Sequence, residues 1–210
     1  MEAIAPILQG KVVYDIGANI GITTLFFAKH VGNEGLVVAF EPVPPTAKRL
    51  QENVRVNCLQ NVRICTVALG DKIGNAEIVY AEESPGIATL RPDMAQSYLK
   101  QFQMQTFTVE VVPLDTLVER EQLPLPFFIK MDVEGFELLV LQGARSVIER
   151  ARPLLFVELH GASHEDCRTT WRQIYDFMCQ YDYRIETPSR VVINVENFLN
   201  HENLWLCTPQ

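Results

Sequence analysis

The sequence predicts an α/β protein built on a mostly parallel sheet with helices on both faces, and three observations predict it. Apolar runs rich in Val, Ile, Leu and Phe alternate with helix-length amphipathic segments over much of the chain. The runs show no in/out alternation, as expected of strands covered on both sides. The first of them ends in a glycine turn that opens a helix, Asp15-Ile16-Gly17-Ala18-Asn19-Ile20-Gly21, the junction where doubly wound sheets receive their ligands.

The elements follow in order. A strand over 11–15 passes through the turn into a helix over 20–30. Gly17 and Gly21 let the backbone turn tightly and approach a ligand at the helix N-terminus, where free N–H groups collect. The pattern is G-x-N-x-G rather than the three-glycine loop on which a pyrophosphate rests. Asp15 stands two residues before it, where a carboxylate repels a pyrophosphate but can pair with an ammonium or sulfonium group. Asp15, Gly17, Asn19 and Gly21 are therefore candidate contacts for S-adenosylmethionine, which carries both cations and no phosphate.

A second strand over 36–41 closes on Glu41, about twenty residues beyond the first glycine, where such folds place the acid that binds ribose hydroxyls. Pro42, Pro44 and Pro45 then break the strand and lead into a helix over 46–57. The third strand, 62–67, runs into Ala68-Leu69-Gly70-Asp71, whose place beside the first two turns suggests an adenine contact through Ala68, Leu69 and Asp71.

The rhythm breaks between residues 71 and 124. Strands are expected over 75–80 and 106–112, with a short helix over 115–121. Long insertions of this kind tend to carry binding segments, which makes this one the candidate substrate-facing element. A peripheral hairpin that only extends the sheet is the alternative. Beyond it a strand over 125–131, a helix over 135–150, a strand over 154–159 and a helix over 164–180 resume the pattern. Short β-rich segments at 183–186 and 204–208 fit an antiparallel hairpin.

Phe128-Ile129-Lys130-Met131-Asp132-Val133-Glu134-Gly135-Phe136-Glu137 concentrates charge in an apolar setting. Strand alternation aligns Lys130, Asp132 and Glu134, and a lysine in a central strand needs carboxylate partners. This segment, with Asp15 to Gly21, Phe40-Glu41-Pro42, Ala68 to Asp71 and the strand from Pro153 to His160, resembles the FkbM family of S-adenosylmethionine-dependent methyltransferases. The resemblance spans about Val12 to His160. It implies a class I methyltransferase fold, a Rossmann-like sheet of seven strands with an antiparallel final strand, and methylation of a hydroxyl on a sugar, polyketide or related natural product.

Alcohols are poor nucleophiles, so a positioned base is expected within hydrogen-bond reach of the acceptor. His160, at the end of the Phe156-Val157-Glu158-Leu159 run, is the first candidate, as a neutral imidazole. Glu134 and Asp132 compete with it, and Asp132 is also a candidate cofactor contact. Lys130 is expected to orient an acid, to bond the substrate oxygen, or to serve as a structural ion-pair partner. Glu137, on a first helical turn, is assigned to the helix dipole. Asp132, Glu134, Glu158 and His160 also make an oxygen/nitrogen set for Mg²⁺ or Mn²⁺, but the spacing is not diagnostic and a metal is not favoured.

The totals bound the rest. A chain of 210 residues with 48% hydrophobic composition suits one domain over 1–210. A net charge of −8 with no long basic cluster argues against nucleic acid as a partner. Five cysteines without C-x-x-C spacing suggest a reducing, cytoplasmic setting, and no stretch has the length of a membrane span. About ten residues precede the first strand, so an open pocket is expected, closed by the insertion or by a second subunit in a homodimer. Two other accounts compete: a nicotinamide oxidoreductase, disfavoured by the glycine pattern, and a non-catalytic S-adenosylmethionine-binding regulatory module, disfavoured by the charged cluster.

Overall fold

The structure, a computed structural model, describes residues 4–81, 87–99 and 101–210. Its centre is a seven-stranded sheet made of β1 (Val12–Ile16), β2 (Leu36–Phe40), β3 (Val62–Cys65), β8 (Phe128–Met131), β9 (Leu154–Glu158), β10 (Tyr183–Glu186) and β11 (Leu204–Pro209). The remaining strands, β4 (Ala68–Leu69), β5 (Gly74–Ala81), β6 (Ala88–Thr89) and β7 (Met104–Val112), form a second sheet. The large sheet has the order β10-β11-β9-β8-β1-β2-β3. Its pairs are parallel from β9 through β3, and β11 runs antiparallel to both neighbours.

Side-chain alternation along the strands sorts the helices onto two faces. Val13, Val37 and Phe128 pack against Phe27, Ala28 and Val31 of α1 (Ile22–Val31), while Ala39 meets Leu50 of α2 (Pro44–Val56). Tyr14, Val38, Ile129, Leu155 and their neighbours turn the other way. They pack against α4 (Leu114–Arg120), α5 (Glu137–Gln142), α6 (Arg145–Ala151) and α7 (His164–Gln180). Full burial of each large apolar side chain contributes about 1.5–3 kcal/mol, so this two-sided core fixes the register of β1 against β2 and β8. That register places Asp15 beside Ala39 on one side and Lys130 on the other.

Several expected elements are divided or displaced. The third strand ends at Cys65, and the chain restarts as β4 in the second sheet, pairing with β7. The helix expected over 135–150 is two helices. Its break falls at Gly143, where a Cβ would stand 1.9 Å from the carbonyl oxygen of Gly70. The Asp115 carboxylate then accepts the Ser146 and Val147 N–H groups that open α6. The last two strands do pair antiparallel, but β11 is inserted between β9 and β10 after the intervening segment 187–203, so they are not a tight hairpin.

The insertion does not extend the large sheet. β5 and β7 pair antiparallel from Gly74↔Val111 to Ala81↔Met104, and β6 adds on β5. Ile78, Tyr80, Val109 and Val111 bury one side of this sheet against Val43 and Ala68. From β6 the chain passes through α3 (Pro92–Tyr98), which brings the insertion to the carboxyl ends of the main strands. Among the described residues no helix is long and apolar enough to cross a membrane, and all five cysteines are free.

Candidate active site

A cavity of about 640 Å³ opens at the carboxyl ends of β1, β2, β8 and β9. One end is lined by the turn from Gly17 to Ile20, by Glu41 and Pro42 after β2, and by Ala68 and Leu69 of β4. The other end is lined by Lys130, Asp132, Glu134, Glu158 and His160, and Ile78, Ala88 and Leu90 of the insertion complete the wall.

The turn is held by its neighbours. The N–H groups of Gly17 and Ala18 donate to the Phe40 carbonyl at 3.1 and 3.0 Å. Gly17 has φ 75°, and a Cβ there would lie 1.8 Å from the Asp132 carbonyl oxygen. Only glycine fits where β1 and β8 converge. Gly21 caps α1 with φ 95° and does not line the cavity.

Asp15 is fully buried and lies behind the turn, outside the cavity wall. Its Oδ2 accepts the hydroxyls of Thr23 and Thr24 at 2.8 and 2.6 Å, and Oδ1 stands 3.8 Å from Lys130 Nζ. The cation beside Asp15 is thus the protein's own. The direct pairing with a cofactor cation expected from the sequence gives way to a role in shaping the turn. Lys130 completes that support, since its ammonium donates to the Gly17 carbonyl at 3.0 Å and to Asp132 Oδ2 at 3.3 Å. Of its expected roles, its contacts match the ion-pair partner and the orienting of an acid, Asp132.

Glu41 is 5% exposed and faces the cavity. Its two oxygens accept the N–H groups of Asn19 and Val43 at 2.9 and 2.8 Å, which ties the two turns together. Burial pushes its pKa up to about 7, outweighing the backbone donors and the Lys130 charge that oppose the shift, while the Asp15 charge adds to it. Asp71 is exposed and lies away from the cavity wall, because the chain leaves β4 for the second sheet before reaching it. Its expected place at the adenine end is corrected accordingly.

At the far end the His160 ring is the hub. Its Nδ1 lies 2.9 Å from Glu137 Oε1. Its Nε2 has Asp132 Oδ1 at 3.9 Å, Glu134 Oε1 at 3.8 Å and Glu158 Oε1 at 3.8 Å. Burial disfavours a charged ring, but the Glu137 hydrogen bond and the Glu134, Glu137 and Asp132 charges prevail and raise its pKa to about 9. The expectation of a neutral imidazole base is therefore not met in this setting of carboxylates.

Sequence reasoning missed three of the groups that build this end. Glu137 is fully buried, accepting the Gly135 N–H at 3.0 Å as well as holding His160. Its first-turn position, which led to the dipole assignment, says nothing of a partner 23 residues away in sequence. Tyr98 donates its hydroxyl to Glu134 Oε2 at 3.1 Å, and Thr89 donates to the Glu134 carbonyl at 2.8 Å. Glu134 adopts φ 51°, a left-handed conformation uncommon in residues other than glycine and often found at functional sites. Burial is the main cause that raises its pKa; the His160 charge opposes that, and the Asp132 charge adds to it. Arg91 pairs with Asp93 and, at 2.9 Å, with Asp166, anchoring the insertion to α7.

Known proteins are similar to this chain. A methyltransferase of Beauveria bassiana is 28% identical over 152 residues, covering 67% of this chain and 61% of that protein. The hexuronic acid methyltransferase AglP of Haloferax volcanii is 31% identical over 152 residues, covering 72% of this chain and 57% of that protein. The chain thus spans about three fifths of the length of the curated relatives it matches. Among solved structures, the methyltransferase FkbM of Methylobacillus flagellatus superposes with a TM-score of 0.59 at 20% identity, over 94% of this chain and 43% of that one. The methyltransferase FkbM domain matches residues 15–185, and the chain belongs to that methyltransferase family.

Proposed function

We propose that the protein transfers a methyl group from S-adenosylmethionine to a hydroxyl oxygen of a small molecule, a sugar or a polyketide-type natural product. The observation that carries this reading is the single continuous cavity joining Glu41 to the His160 cluster. Its volume lies in the usual range for a small-molecule site, roughly 300–1,000 Å³.

The residues at the Glu41 end fit the cofactor. Glu41 uses its oxygens on backbone N–H groups and keeps lone pairs for ribose hydroxyls, while Pro42, Ala68 and Leu69 offer an apolar wall to an adenine. The basic groups of the lining, Lys130 and His160, are both engaged with carboxylates, which suits a ligand without phosphate. When bound, S-adenosylmethionine supplies an electrophilic methyl group.

The other end is read as the acceptor side. Asp132 and Glu134 are the proposed acceptors of the hydroxyl proton, placed by Lys130 and by Tyr98. His160, with one ring nitrogen on Glu137 and the other facing three carboxylates, orients the group and balances its charge. The insertion forms part of the acceptor pocket of a single domain, through Ala88 and Leu90 in its wall and through the Tyr98 hydrogen bond to Glu134. The name of the Haloferax relative supports a sugar acid among the candidate acceptors.

Isothermal titration of the purified protein with S-adenosylmethionine, followed by mass spectrometry of hexuronic acids incubated with the pair, tests the reading. Saturable binding and a product carrying one added methyl group are expected. An absence of cofactor binding sinks it.

A further inference from the structure

We propose that His160, Asp132 and Glu134, with Glu158 in reach, form a divalent cation site of the Mg²⁺ or Mn²⁺ class at the acceptor end of the cavity. Three carboxylate oxygens, from the segment after β8 and from β9, surround His160 Nε2, and ligand atoms of Asp132, Glu134 and His160 all lie within 4.8 Å of one another.

The distances carry the argument. The three oxygens stand 3.8–3.9 Å from His160 Nε2, beyond hydrogen-bond range, and Nε2 makes no hydrogen bond among the described residues. Carboxylates gathered this closely call for positive charge among them, which a protonated His160 supplies in part and a divalent cation supplies in full. Ligands about 2.1 Å from a shared ion, at angles between the right and the straight, stand roughly 3–4.2 Å from one another. The three nitrogen–oxygen distances fall in that range.

A second observation lies behind the ring. Glu137 is fully buried, binds Nδ1 at 2.9 Å, and has a second oxygen without a partner among the described residues. A cation that displaces the Nε2 proton meets a ring whose Nδ1–H is held by a carboxylate, which turns the freed Nε2 lone pair outward, and metal-ligating histidines are commonly held this way. Charge points in the same direction. Asp132, Glu134, Glu137 and Glu158 surround the imidazole, with Lys130 as the nearby ammonium, and that ammonium is shared with Asp15 and the Gly17 carbonyl.

Oxygen-rich sites of this composition take hard cations and leave coordination positions to water or substrate oxygens. Facing the cavity, those positions suit adjacent hydroxyls, or a hydroxyl next to a carboxylate, on the acceptor. This last step rests on the proposed function; the cation site does not, and Mn²⁺ binding is read without cofactor or acceptor.

Electron paramagnetic resonance titration of Mn²⁺ into the whole protein is the measurement. One saturable site is expected, competed by Mg²⁺ and weakened at least about tenfold in His160→Ala and in Glu134→Gln, with Glu137→Gln weakening it less through the ring. A cooperative thermal melt of the same variants shows that they are folded, and a variant that loses it is replaced by Asp132→Asn. No saturable Mn²⁺ binding by the unaltered protein, or binding unchanged in the folded variants, overturns the proposal. Cation binding without any methyl transfer would instead count against the function and leave the site standing.

Discussion

Lys130 Nζ lies 3.8 Å from Asp15 Oδ1 across the pairing of β1 with β8, and both side chains are buried. The pair sits beneath the glycine turn, which Lys130 also holds through the Gly17 carbonyl. Removing one partner of a buried ion pair strands the other charge, at a cost of about 3–5 kcal/mol. Lys130→Met is therefore expected to lower unfolding free energy by about that amount in urea titration. The double variant Lys130→Met/Asp15→Asn should recover part of the loss, because the stranded carboxylate is gone. A Lys130→Met protein as stable as the parent would show that the ammonium is not the partner of Asp15 in solution.

Glu41 makes a prediction about pH. Its pKa rises from an ordinary 4.5 to about 7 through burial, against the Asn19 and Val43 donors and the Lys130 charge, and with Asp15 adding to the rise. The folded protein therefore holds a proton that the unfolded chain has released between those two values. The stabilisation is complete below about 4.5 and is lost as pH rises through about 7, a change on the order of 3 kcal/mol. Glu41→Gln removes this dependence, so the stability difference between parent and variant should shift by that amount between acid and mildly alkaline urea titrations. Cofactor affinity should move the opposite way. Ribose hydroxyls donate best to the ionised carboxylate, so binding to the parent strengthens as pH passes through about 7 while binding to Glu41→Gln stays flat. Equal pH profiles for the two proteins would remove Glu41 from the ribose contact.

The turn, the acid after the second strand and the Lys130–Asp132–Glu134 run were legible because each is local: the residues that act together are a few positions apart, although the strand ends at Met131 and Glu134 is turned by its left-handed backbone rather than by strand alternation. The sheet was legible for the same reason, since unbroken apolar runs report burial on both faces. What stayed hidden depends on distant parts of the chain. Gly143 breaks a helix because Gly70 crosses it, and Asp71 misses the cavity because β4 joins the other sheet. Asp15 had the residue type of a ligand contact, but its depth behind Thr23 and Thr24 is set by tertiary packing. Glu137 had no local mark of its partner. A buried acid on the apolar side of a short helix is the one signal that pointed to it, since such a group needs a cation or donor nearby.

Tyr98 tests whether the insertion works in catalysis or only covers the sheet. Its hydroxyl reaches Glu134 from α3 at 3.1 Å, and the nearby carboxylate and burial together raise the phenol's pKa to about 12, burial contributing most. The phenol therefore remains a donor throughout the working pH range and acts on the acid without exchanging a proton. Hydrogen bonds to charged groups contribute about 1.5–3 kcal/mol, so Tyr98→Phe removes that hold while keeping the ring and its packing. If Glu134 must be oriented for methyl transfer, kcat falls at least about tenfold and cofactor affinity stays within about twofold. A structural role alone would lower thermal stability and leave kcat unchanged at a temperature where the variant is folded. Steady-state kinetics beside a melting curve separates the two outcomes, and an unaltered kcat would confine the insertion to shaping the wall of the cavity.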